Sequence, residues 1–160
     1  QIIDLTPSCV RIYPTLVLKG TYLAKLYEAG KYVPQSLEEA VVLCAGLKQM
    51  FDQNSIAVIR MGLMSSGNIR PKNDVVAGPY HPAFGELVQS ELNFCRLKEA
   101  VHQDCLIAVN PRSLSAFVGN NKANIKKMKQ LGYIIKFVQD ETVLPQEFKL
   151  VTGKAAEHAS

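Results

Sequence analysis

No two cysteines of this chain stand at a metal-ligand spacing. Cys9, Cys44, Cys95 and Cys105 are separated by 35, 51 and 10 residues. With no C-x-x-C or C-x-H pair, spacing supports no zinc site and no local cysteine triplet for an iron–sulfur cluster. No apolar run approaches the roughly 18 residues of a membrane span, and no signal peptide is expected. A membrane partner is therefore not expected. A large charge excess is missing too. Against 14 Asp+Glu stand 18 Lys+Arg, a net +4 with a pI near 8.9, too small a total to name a partner. Internal repeats and low-complexity segments are absent.

The 160 residues are 48% hydrophobic and 20% charged, the proportions of one globular domain or two small ones. Cys44, Cys95 and Cys105 sit within apolar patterns. They read as buried structural thiols, which fits a reducing cytoplasm. The opening residues, Gln1 to Leu5, start in mid-pattern, as if cut from something longer.

Residues 10–18 read as a strand, with Pro14 removing a ladder donor in its middle, so the strand ends, bulges or lies at an edge there. Thr21 caps a short helix over 22–29 that stops at Gly30. Residues 36–53 form the clearest helix. Ser36 and Glu39 make an S-x-x-E capping box, and Leu37, Ala40, Val41, Cys44, Leu47 and Phe51 recur at helical steps. Residues 56–61 are a mostly apolar run fit for a buried strand. Residues 62–81 lack any period and are read as a long loop. A helix is expected from about Pro82 to about His102. A strand (105–109), a short helix (111–117), a turn (119–121), a helix (122–131) and a strand (133–138) come next. A last strand is expected over 147–151, then a frayed tail, 153–160.

The positive charge is not evenly spread. Residues 105–139 hold Arg112, Lys122, Lys126, Lys127, Lys129 and Lys136 and no acid, a local +6. The other 125 residues carry 12 basic and 14 acidic groups, or −2. The strand–helix–turn–helix–strand order of this segment resembles the core of a KH domain, whose GxxG loop grips single-stranded nucleic acid. Val118 to Ile125 lies over the pattern apolar-G-x-x-G-x-x-apolar, with Lys122 in place of the second glycine. That resemblance implies RNA contact through Gly119, Asn120, Asn121, Lys122 and Lys126, with Lys122 adding a phosphate contact. The alternative is a small end domain whose lysines are a solvated face.

Val10 to Thr21, R-I-Y-P-T-L-V within it, runs into Gly20-Thr21-Tyr22-Leu23-Ala24-Lys25-Leu26-Tyr27-Glu28-Ala29-Gly30-Lys31-Tyr32. These segments are similar to the last barrel strand, and the helical segment after it, in radical S-adenosylmethionine (SAM) proteins. The narrower likeness is to the group holding the catalytic subunit of Elongator and bacterial oxygen-independent coproporphyrinogen III oxidase-like proteins. The strand at Val58 to Leu63 and the stretch Val76 to Phe84 fit the same region, and the likeness runs from about residue 2 to about residue 140.

The resemblance implies a mixed α/β fold: the last strand of a radical SAM barrel with trailing helices over 1–104, then a KH-like βααβ module over 105–152. It implies a C-terminal fragment of an iron–sulfur enzyme, porphyrin-directed or tRNA-modifying. The fragment would be inactive alone, because the cysteine motif for the 4Fe-4S cluster lies outside it. Cluster and S-adenosylmethionine belong to the full-length parent. The expected partners are the N-terminal barrel, tRNA or another RNA, and a second copy paired through the exposed strand.

Within that frame, Arg11 and Tyr13 are candidates for facing the cofactor. The alternative is a structural pair at a barrel end. Arg60, inside an apolar strand, either pairs with a carboxylate or projects into the substrate site. His81 either contacts substrate or caps and packs locally. Arg70 and Lys72 are loop cations able to meet an anionic substrate.

Overall fold

The structure, a computed structural model, describes residues 1–63 and 71–151. These form two compact units, Gln1–Val88 and Gln89–Ser160. Among the described residues no helix is long and apolar enough to cross a membrane.

In the first unit the expected strand 10–18 is divided. Residues 13–16 have no ladder partner, and Pro14, which lacks an N–H, is among them. The upstream half is β1, Cys9–Ile12, and the downstream half is β2, Val17–Leu18. Helix α1, Tyr22–Glu28, begins at Thr21, whose hydroxyl accepts the Ala24 N–H at 3.2 Å. Helix α2, Leu37–Gln53, carries the full capping box. Ser36 Oγ accepts the Glu39 N–H at 3.1 Å, and the Glu39 carboxylate accepts the Ser36 N–H at 2.8 Å. Ala40, Val41, Cys44, Ala45 and Phe51 form its buried stripe.

Strand β3, Ala57–Met61, follows α2 and lies parallel to β1. A parallel pair needs a crossover between its strands, and α2 lies within that crossover. The expectation of a buried strand over 56–61 is corrected. Ile56 is buried, but Ala57, Ile59 and Arg60 are exposed, because one face of this two-stranded sheet stands open. The expected loop over 62–81 is corrected as well. It contains α3, Pro71–Asp74, and β4, Val75–Ala77, which pairs antiparallel with β2. Three residues are too few to show alternation; β2 supplies the partner that makes them a strand. Gly78, at φ +106°, then passes over Thr15, where an added Cβ would stand 3.0 Å from the Thr15 carbonyl oxygen.

Helix α4, Phe84–Ala100, begins in the first unit and continues into the second. The second unit holds β5 (Cys105–Val109), α5 (Leu114–Val118), α6 (Ala123–Gln130), β6 (Ile135–Gln139) and β7 (Phe148–Val151). β5 is central, parallel to β6 and antiparallel to β7. Leu97, Val101, Ile107, Val109, Phe117, Met128 and Ile135 make the core. The Phe117 ring meets Phe148 edge-on at 5.7 Å and Phe137 at 6.3 Å. The tail 153–160 lies outside the described residues.

The backbone and hydroxyl of Ser36 hold the Glu39 carboxyl below the usual glutamate range. A lowered folded-state value contributes stability above the unfolded-state value and loses it as pH falls through the folded one. Thermal melts of wild type and Glu39→Gln should therefore differ most near neutral pH. The gap should close as pH drops below the ordinary glutamate range; a gap constant with pH would refute the cap's charge dependence.

Candidate functional sites

Two surfaces gather the candidate residues. The first is the open face of the β1–β3 sheet. Arg11 and Arg60 are register partners there, and both are exposed. Tyr13 lies just past β1 with about half its surface exposed, 52%. His81 is not on either strand. Its Nδ1 accepts the Ala83 N–H at 3.1 Å and its carbonyl accepts the Phe84 N–H at 3.1 Å, so it organises the first turn of α4. Arg70 lies outside the described residues, as does the side chain of Lys72.

The second surface is the turn before α6. Gly119 has φ +76° and ψ 161°, a region essentially reserved for glycine. A Cβ there would stand 3.0 Å from Ser90 Oγ and 3.1 Å from Asn124 Cγ. Asn121 and Lys122 follow with φ 51° and 60°, both left-handed. Lys122 thus adopts the backbone that a glycine would take most readily. Its side chain is exposed, as are those of Asn120, Asn121, Lys126 and Lys129. Lys126 and Lys129, at i and i+3, form a short exposed stripe on α6, and Lys122 precedes it at the N-cap.

Lys127 does not join that stripe. Its ammonium pairs with Glu91 at 2.6 Å and lies 4.7 Å from the Phe94 ring centre. One of the six segment cations is therefore neutralised locally. The residue that fixes the turn, Asn124, is not conspicuous in the sequence. It is 1% exposed, and its Nδ2 donates to the Ser90 and Phe117 carbonyls, each at 3.0 Å. The signal for it is a polar residue on the inward stripe of α6, one turn from buried Met128.

The thiols form no cluster. Cys9 is exposed, Cys44 buried, Cys95 and Cys105 half-buried, and all are free. Burial raises the Cys44 thiol above its ordinary value. It does the same for Cys95, with help from Glu91 and Glu99, and for Cys105, with help from Asp104. Among the described residues no three His, Cys, Asp or Glu gather closely enough to hold a metal ion.

The family model described as the radical SAM C-terminal domain matches residues 7–93, more than half of the chain. The chain belongs to that family. Searches of curated proteins and of solved structures each return no significant match. The matched stretch covers β1 through the first half of α4, so Arg11, Tyr13, Arg60 and His81 lie within this radical SAM C-terminal domain, and the Gly119–Lys122 turn lies beyond the match. The chemistry implied by the family name rests on an iron–sulfur cluster. The four scattered thiols here do not fit one: they lie on four different elements, and burial raises three of them above the ordinary thiol range, against the thiolate a cluster needs.

The turn geometry gives paired expectations. Lys122→Gly should raise stability by about 0.5 kcal/mol, the left-handed strain of ~1–2 kcal/mol less the added chain flexibility of ~0.5–1 kcal/mol. Gly119→Ala should lower it by about 1–3 kcal/mol. Urea unfolding midpoints measure both; destabilisation by Lys122→Gly would mean that the lysine side chain itself supports the turn.

Proposed function

We propose that this chain is the C-terminal portion of a radical SAM iron–sulfur enzyme of the Elongator catalytic-subunit-like and oxygen-independent coproporphyrinogen III oxidase-like group. Its own work is to extend the catalytic sheet and shape the substrate side. It supplies no cluster ligand. The carrying observation is the β1–β3 sheet of a chain in the radical SAM C-terminal domain family. Parallel sheets are ordinarily covered on both faces and continue to further strands. Among the described residues, two parallel strands stand by themselves here with one face open. Strands of the N-terminal barrel on the free edge would complete the sheet; pairing with a second copy is the competing use of that edge.

The test is reconstitution of the full-length parent with iron and sulfide, anaerobically, beside the isolated chain. The parent should cleave S-adenosylmethionine reductively, and the isolated chain should assemble no cluster. An intact cluster preparation that leaves S-adenosylmethionine uncleaved would defeat the reading. Turnover of coproporphyrinogen against modification of tRNA then separates the two substrate classes.

A second role, RNA contact, is favoured by one observation: exposed Lys122 in the glycine-like turn, followed by exposed Lys126 and Lys129 on α6. In a KH-like reading, the turn approaches the phosphates and the stripe neutralises them. The isolated chain should then bind tRNA with salt-dependent affinity. Lys122→Glu with Lys126→Glu should weaken binding across sequences and reduce the salt slope by about 2. Binding indifferent to both salt and the double change would exclude this surface.

A further inference from the structure

Register partners on parallel strands project to the same face of the sheet. In β1 and β3 the pairs run Cys9 with Ala57, Val10 with Val58, Arg11 with Arg60 and Ile12 with Met61. The ladder slips between Val10 and Arg11, and Ile59 is stepped over. In a regular ladder Ile59 would stand opposite Arg11, and Arg60 opposite Ile12. The bulge instead brings two guanidinium groups onto one open face, from strands about 4.8 Å apart.

Such a pair is unfavourable by itself, because like charges directly opposite destabilise a sheet. Neither guanidinium joins an ion pair among the described residues. The pairs there link the N-terminus with Asp4, Lys48 with Asp52 and Lys127 with Glu91. Residues 62–73, which come after β3, contain no acid in sequence. The preceding pair on the same face, Cys9 and Ala57, is short and exposed, so the guanidinium groups are not screened from that side. Two forked donors side by side match a group with several negative oxygens.

We propose that Arg11 and Arg60 together form one oxyanion site that takes a multiply charged phosphate or carboxylate group of a small ligand. The bulge is the device that assembles it. The site stands on the β1–β3 register and is independent of any radical chemistry.

The test uses the whole chain at low salt, with pyrophosphate and citrate as probes and sodium chloride at matched ionic strength as the control. Calorimetry and the arginine Nε–H resonances report binding. Saturable binding of either probe is expected, lost about tenfold or more in Arg11→Gln and in Arg60→Gln. It should be unchanged in Lys25→Gln, an exposed cation of α1 that belongs to neither candidate surface. Preference for pyrophosphate marks a phosphate ligand, and preference for citrate a carboxylate one; either supports the site. Without ligand, Arg60→Gln should raise the melting temperature by about 1–3 °C through relief of repulsion. No response beyond the chloride control, or binding that survives both arginine changes, overturns the proposal. So does a lowered melting temperature together with unchanged affinity.

Discussion

The first unit is organised by a missing hydrogen atom. Pro14 has no N–H to give to a ladder, so the nine residues from Val10 to Leu18 cannot pair along one neighbour. The chain changes partners there. Before the proline it runs parallel to β3; after it, antiparallel to β4. Helix α2 falls between β1 and β3, and the stretch that would otherwise wander after β3 is brought back to pair with β2. Arg11 stands near the end of the first ladder, where a bulge and an open face leave its surroundings unfilled.

The two candidate surfaces use positive charge in different ways. On the β1–β3 face it is concentrated: two guanidinium forks on register partners, with no acid paired to them among the described residues. On α6 it is strung out along a helix, with flexible ammonium groups at successive turns and Lys127 withdrawn onto Glu91. A compact group with several oxygens suits the first arrangement, a polymer of phosphates the second. The family match covers the first surface and stops short of the second, so the two rest on different grounds.

Local chemistry was readable from the sequence wherever one residue type has one job. The S-x-x-E box located the start of α2, Thr21 the start of α1, and apolar runs the strands expected at 105–109 and 133–138, the second of which is observed as Ile135–Gln139. Features that depend on distant pairing were not. Val75–Ala77 becomes a strand because β2 lies beside it, which no local pattern carries. The exposure of Arg60 belongs to the same class, since apolar flanks suggest burial and only the sheet's open face denies it. The opposition of Arg11 and Arg60 needs a bulge, and a one-residue slip leaves no trace in composition. Asn124 was hidden for another reason: its position on the helix was plain, but its carbonyl partners come from Ser90 and Phe117.

The turn at Gly119 also depends on the difference between an amide and a carboxylate. Asn120, Asn121 and Asn124 lie within five residues, and an Asn→Asp change would convert each amide to a carboxylate. At Asn124 the change would replace a donor with an acceptor, aimed at carbonyl oxygens 3.0 Å away in a site 1% exposed. A buried, unpaired charge there would prise the turn apart. At Asn120 and Asn121, both exposed, the fold would survive, but each event would set a negative charge beside the lysine stripe. The same amide-to-carboxylate change would thus alter the surface at two positions and the scaffold beneath it at a third.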